Sequence, residues 1–260
     1  MKKYKLVSIA IIPLILTLAG CGKKEEAETS LDTGASNQAS TSDTTATQLA
    51  TATLKGKVTL DGTAPAREKI AMDADAYCKA NHADTVFSDS VVVNPGGTLQ
   101  YVFVYVKEGI SGKYPALKDP VVFDQRGCMY SPHVLGVRVD QPFKILNSDE
   151  TLHNVHALPE KSTQFNLAMP FKGMELSKKF TKPEIMVKIK CDVHPWMAAY
   201  VGVLSHPFFA VSGADGTFQL PKLPAGTYTL EAWHEKFGTQ TQSVTLGDNE
   251  TKDISFTFKA

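Results

Sequence analysis

The 260-residue sequence is poor in cysteine and tryptophan and carries no net charge: it has four Cys and two Trp, and 27 Lys+Arg balance 27 Asp+Glu. Four cysteines are too few for a disulfide-built scaffold at this length, so a hydrophobic core must carry the fold. With 43% apolar residues the chain can build one. Zero net charge argues against a general binder of nucleic-acid phosphates, and no nucleic-acid partner is expected. Helical periodicity is scarce too, since no amphipathic stretch exceeds about two turns. The longest apolar run, Leu6 to Leu18, falls short of the ~20 residues that cross a bilayer and contains Pro13.

That run is preceded by Lys2, Lys3 and Lys5 with no acidic residue, the layout of a secretory signal. It ends at Leu18-Ala19-Gly20-Cys21, which resembles the box of a bacterial lipoprotein signal, whose cysteine is acylated and becomes the new N-terminus. A short membrane anchor is the alternative. The resemblance implies a signal peptide over residues 1–20 and a lipid on Cys21. Its removal takes away three lysines and leaves 24 basic against 27 acidic residues, a net charge of −3. Residues 21–52 are Ser, Thr, Ala, Asp, Glu and Gln with almost no large apolar side chain, so they read as a disordered tether with a reach of roughly 30 Å. The implied location is a bacterial cell envelope, lipid-anchored, on a periplasmic or surface-facing side. Gly22, where enteric bacteria use Asp for inner-membrane retention, favours an outer membrane.

From Thr53 onward, short segments of alternating polarity are punctuated by Gly, Pro, Asn and Asp, the pattern of an all-β sandwich or barrel. Alternation is clearest in residues 99–106, 134–139, 185–191, 227–233 and 253–258. Short helices are expected near Asp73 to Asn81 and within the connection from Glu160 to Lys182.

Chemistry concentrates in the heptapeptide Cys191-Asp192-Val193-His194-Pro195-Trp196-Met197. It follows a strand whose period of two turns Cys191 to the same side as Ile185, Val187 and Ile189, into the core. A loop starting there can place His194 and Met197 around one point. One thiolate, two imidazoles and a weak axial thioether make a blue-copper electron-transfer site, and the heptapeptide supplies three of those four. The second imidazole must come from another strand. An ordinary buried cysteine and a gap-filling methionine are the plainer alternative for each residue taken alone.

Upstream, Tyr130 to Val139, then Asn147-Ser148-Asp149, then His153-Asn154-Val155-His156 resemble the opening half of a cupredoxin, and the spacing C-x2-H-x2-M resembles the ligand loop of amicyanin. The resemblance implies one copper ion cycling between Cu(I) and Cu(II), with His153, Cys191, His194 and Met197 as ligands and Asn154 steadying them. His156 is the alternative upstream ligand. In relatives the loop histidine reaches the surface within an apolar patch, so Pro195 and Trp196 mark an electron-exit surface, unless Trp196 packs inward. A dinuclear centre is excluded because Val187 stands where it needs a second cysteine. Lys190 and Asp192 beside Cys191 leave no histidine to relay electrons to a catalytic copper, so no enzymatic activity is expected. Zinc fits poorly, because methionine is a poor ligand for it. His82, His133, His206 and His234 show no metal spacing and read as surface or packing residues.

Cys78 and Cys128 remain, in an exported chain. A disulfide between them is expected, with two buried thiols, or Cys128 and His133 as a second metal site, as alternatives.

Near the C-terminus, Asp215-Gly216-Thr217-Phe218 followed by Leu223-Pro224-Ala225-Gly226-Thr227-Tyr228 resembles the signature of a carboxypeptidase regulatory-like domain, a transthyretin-type β-sandwich. Gly56 to Gly62 resembles its first strand. The implied organisation is all-β: residues 53–85 as that first strand and a connection, 86–205 as a cupredoxin Greek-key sandwich, and 206–260 as the smaller sandwich. The expected function is a membrane-tethered one-electron carrier with redox proteins as partners, the C-terminal domain being free to contact glycan or protein. A copper-handling lipoprotein and a non-redox envelope scaffold are the alternatives.

Overall fold

A run such as Val102-Phe103-Val104-Tyr105-Val106, apolar at every position, needs burial on both faces. The computed structural model, which describes residues 49–260, supplies it. The lipoprotein box with Cys21, and nearly all of the tether, lie outside the described residues.

The chain begins with β1 (Thr53–Asp61), a short helix α1 (Ala76–Ala80), then β2 (Val93–Asn94), β3 (Thr98–Leu99) and β4 (Phe103–Glu108). There follow β5 (Val121–Arg126), β6 (Met129–Ser131), β7 (Val134–Arg138), β8 (Phe143–Asn147), β9 (His153–Ala157), β10 (Phe165–Met169), β11 (Glu175–Lys178), β12 (Glu184–Lys190) and β13 (Ala198–Leu204). The chain closes with β14 (Phe209–Val211), β15 (Thr217–Gln219), β16 (Gly226–His234), β17 (Gly238–Leu246) and β18 (Thr251–Lys259).

These strands make two sandwiches, one inserted into the other. In the outer one, β1 lies parallel to β18 and antiparallel to β15 and β3, and a second sheet runs β14-β4-β16-β17. Leu54, Val58, Leu99, Val104, Leu230 and Phe256 are among the residues of its core. The inner sandwich packs β10-β9-β12-β13-β7 on β11-β8-β5-β6 around Phe123, Phe143, Ile145, Val155 and Val201. The boundary expected at residue 86 is therefore corrected. Residues 93–108 belong to the outer sandwich, where β4 bridges β14 and β16, and the insertion spans β5 to β13. That pairing joins segments more than a hundred residues apart, which local patterning does not register.

Two other expectations change. The connection from Glu160 to Lys182 contains strands β10 and β11 rather than a helix, because β9 and β8 offer open edges for them. The alternation before Cys191 holds only from Val187. A register shift in β12, with Met186 at φ 60°, turns Ile185 away from the inner core to the junction of the sandwiches.

At that junction Phe103 and Tyr105 of β4 face Val134 and Leu204. Gly136 and Gly202 sit side by side on β7 and β13. Having no side chains, they open a flat patch on which the stacked rings of Phe103 and Phe209 rest, with centroids 5.7 Å apart. His133 adds a polar tie, its Nε2 lying 2.5 Å from Glu235 Oε1 after β16. Arg138 adds another, its Nη2 donating to the carbonyls of Tyr114 (2.6 Å) and Ser205 (3.1 Å).

A Cβ at Gly136 would overlap the Phe209 ring and one at Gly202 the Phe103 ring. Gly202→Ala should therefore lower stability by about 1–3 kcal/mol through overpacking, read as a fall in the urea unfolding midpoint. An unchanged midpoint would show that the two sandwiches do not depend on this contact.

Candidate metal centre

β9 and β12 are antiparallel neighbours, with Lys190 opposite His156, so the start of β9 and the end of β12 lie at the same end of the sheet. His153 opens β9, and Cys191 follows β12. The loop from Cys191 returns into β13 through a tight turn, in which Met197 N donates to His194 O (3.0 Å) and Cys191 N to Met197 O (3.2 Å). The turn brings His194 back over the sulfur, whose Sγ accepts from His194 N at 3.3 Å.

His153 Nδ1 and His194 Nδ1 are 2.9 Å apart, and Cys191 Sγ lies 3.8 Å from the latter. The three side chains offer one ligand atom each, all within 4.8 Å of one another, and all three residues are buried. Met197 is fully buried in the same core.

What aims the two Nδ1 atoms inward is the bond made by each outer nitrogen. His153 Nε2 meets Asp149 Oδ2 at 2.9 Å, and His194 Nε2 meets Asp75 Oδ2 at 3.1 Å. A carboxylate on one ring nitrogen fixes the tautomer and orientation of the ring, the usual support of an imidazole that ligates a metal. Asp149 is itself held by the N–H groups of Gly127 (2.9 Å) and Cys128 (2.8 Å), Asp75 by that of Cys78 (2.9 Å). Burial pushes both carboxyl groups up, but these hydrogen bonds outweigh it and leave each below the ordinary carboxylate value.

The same balance acts on the ligand candidates. Burial opposes protonation of His153, but hydrogen bonds with Asp149 and Cys191 raise it to about 9. Burial pushes the Cys191 thiol up, and His153 with the backbone N–H groups of Asn154, His194 and Val193 brings it below its usual value. These donors stabilise a thiolate. Burial, aided by the charge of His153, lowers His194. A buried cysteine sulfur with two oriented imidazole nitrogens suits a soft or borderline transition metal.

Asn154 ties β9 to the loop, its Oδ1 accepting from Asp192 N at 2.5 Å. His156 is drawn elsewhere: its Nδ1 meets Asp192 Oδ2 at 2.9 Å, so it does not join the group. His82 (2.8 Å from Gly127 O) and His133 (at Glu235) are engaged in packing.

The cover of the site differs from expectation. His194 is only 2% exposed, because α1 and its flanks close over it. Asp75 caps α1 and reaches His194, and Cys78 is joined to Cys128 through a 2.04 Å S–S bond. The loop histidine therefore does not open to solvent. Trp196 packs inward, its ring 5.0 Å from His194 and its Nε1 donating to Cys128 O at 2.9 Å, which leaves Pro195 alone exposed of the expected exit pair.

Three participants escaped the sequence reading. Asp149 lies in the Asn147-Ser148-Asp149 run, whose residues alone give it no role. Asp75 is 119 residues from His194, with no motif to connect them. Tyr130, whose hydroxyl donates to Asn154 O at 2.5 Å, is pushed well above the usual phenol value by burial and by the neighbouring Cys191 and Asp192 charges.

A model of the carboxypeptidase regulatory-like domain matches residues 197–259. No curated protein matches the chain. Among solved structures, a purple cupredoxin from Nitrosopumilus maritimus is 22% identical, with 32% of this chain and 97% of that one covered and a TM-score of 0.28. A reduced amicyanin variant is 27% identical over 32% of this chain and 81% of its own, with a TM-score of 0.29. A copper-containing nitrite reductase from Thermus scotoductus SA-01 is 21% identical over 37% of this chain and 25% of its own, also at 0.29.

Replacing Cys78 and Cys128 together by Ala should cost about 2–4 kcal/mol and loosen the cover. His194 should then react faster with an imidazole-directed reagent, followed by peptide mass spectrometry. Equal reactivity in both proteins would show that the disulfide does not hold the cover shut.

Proposed function

We propose that the chain is a type 1 copper protein, a one-electron carrier tethered to a membrane outside the cytoplasm and without catalytic activity of its own. The observation that carries this reading is the convergence of His153 Nδ1, His194 Nδ1 and Cys191 Sγ within one buried 4.8 Å group. His153, Cys191 and His194 would hold the ion, with Met197 as the weak fourth donor and Asn154 steadying the loop. Bound there, a single copper ion supplies a one-electron Cu(I)/Cu(II) couple.

The chain's own part is rigidity and exclusion. Asp149 and Asp75 keep the imidazoles aimed, strands β9, β12 and β13 fix the spacing, and the fully or nearly fully buried ligands keep bulk water away. Little rearrangement is then needed when the charge at the centre changes. Redox proteins are the partners this reading requires. Cys21 provides the membrane attachment in a bacterial envelope, and the outer sandwich serves as a spacer or binding module.

The burial of His194 supports a second reading, a lipoprotein that holds or hands on copper, because a closed edge slows electron exchange with a partner. Rapid electron self-exchange of the copper-loaded protein would favour the carrier, and slow exchange with ready release to a chelator would favour handling.

Added Cu(II) should give the wild-type protein an intense visible thiolate-to-copper absorption, which Cys191→Ser abolishes. A colourless copper-loaded wild type would sink the proposal. Separately, wild-type protein expressed in bacteria should partition into the detergent phase of a cloud-point extraction, whereas Cys21→Ala should not. Equal partitioning would remove the lipid anchor.

A further inference from the structure

A second group of donors lies on the outer side of the same two imidazoles. Cys78 Sγ is 3.8 Å from His194 Nε2. The ligand atoms of Asp75, Cys78 and His194 lie within 4.8 Å of one another, and so do those of Cys128, Asp149 and His153. The two groups meet at the bond between Cys78 and Cys128. Both cysteines are fully buried in a nest with Met72, Ile70 and Trp196.

While the sulfurs are bonded to each other, neither is an anionic donor. Once they are reduced, the same nest contains two thiols already side by side. The carboxylates around them are committed, Asp75 to Cys78 N and His194, Asp149 to Cys128 N and His153. Among the described residues of this nest, the two cysteine sulfurs are then the ones that can become thiolate donors. Thiolates bind both Zn(II) and Cu(I), but zinc in a structural site takes four ligands, more than two sulfurs supply, which leaves the soft ion Cu(I).

We propose that the reduced Cys78–Cys128 pair is a second metal site, which takes Cu(I) between the two thiolates beside the main centre. A dithiol reductant supplies the two electrons. Its sulfurs become a disulfide, the Cys78–Cys128 bond breaks, and its two protons pass to the released thiols. Cu(I) then binds with no change in its own oxidation state, and the two thiol protons leave to solvent. The site stands on Cys78 and Cys128, so it does not depend on Cys191.

The test compares the full chain, oxidised or reduced with a dithiol that is then removed by anaerobic desalting, after loading with Cu(I) and counting bound copper by elemental mass spectrometry. Reduction should add about one Cu(I) per chain, with new ultraviolet thiolate-to-Cu(I) absorption. Cys78→Ser with Cys128→Ser should gain none. In Cys191→Ser the gain on reduction should persist, which separates failure of this site from failure of the main one. The proposal is overturned if the reduced wild type, still folded by circular dichroism, holds no more Cu(I) than the oxidised form. It is equally overturned if the gain survives in the double serine variant, or if Zn(II) displaces the added Cu(I). The comparison of oxidised with reduced wild type decides the matter even where the serine variant does not fold.

Discussion

Each imidazole has two nitrogens, and which one faces inward depends on what the other is bonded to. The two bonds from Asp149 to His153 and from Asp75 to His194 therefore determine how the imidazoles at this end of the inner sandwich are aimed. With the outer nitrogens taken, both Nδ1 atoms point at the sulfur of Cys191. Without those bonds, rotation of either ring would break up the group. The carboxylates are anchored in turn by backbone N–H groups of Gly127, Cys128 and Cys78, so the geometry is traced back to main chain rather than to long side chains. Short donors on main chain lose little entropy on ordering, which suits a site that has to keep its spacing.

The same anchoring joins the site to the rest of the molecule. Asp75 and Cys78 come from the connection between β1 and β2, which is part of the outer sandwich's chain path, whereas Cys128 and Asp149 belong to the insertion. One disulfide thus fastens a segment of the outer sandwich's path across the mouth of the inner one. Elsewhere Phe103 and Phe209 rest on Gly136 and Gly202, and His133 meets Glu235. The insertion is thus held at two places, and the end that carries His153, Cys191 and His194 is covered at one of them.

Several features could be read from residues alone because they depend on local chemistry. The strand character of β16 and β18 follows from alternation, and the shared side of Val187, Ile189 and Cys191 follows from the period of two. The grouping of a thiol, an imidazole and a thioether within one loop is also local, and so is the short helix at α1. What was misread depended on neighbours. Residues 165–178 pair as strands because edges of β9 and β8 are available. Residues 93–108 join the outer sandwich because β14 and β16 flank β4. Ile185 leaves the inner core because β12 shifts register at Met186.

The scarcity of cysteine takes on a sharper meaning in the structure. Beyond Cys21, three cysteines lie within one small region: Cys191 against the imidazoles' inner nitrogens, and Cys78 joined to Cys128 on the outer side. The sequence by itself determined the all-β character and the spacing of a thiol, an imidazole and a thioether within one loop, because these rest on neighbours a few residues apart. Only the tertiary structure decided that His194 is closed off, that Asp75 does the closing, and that the inner sandwich starts after β4. Those outcomes rest on contacts between segments about fifty to more than a hundred residues apart, for which no local pattern in the chain leaves a trace.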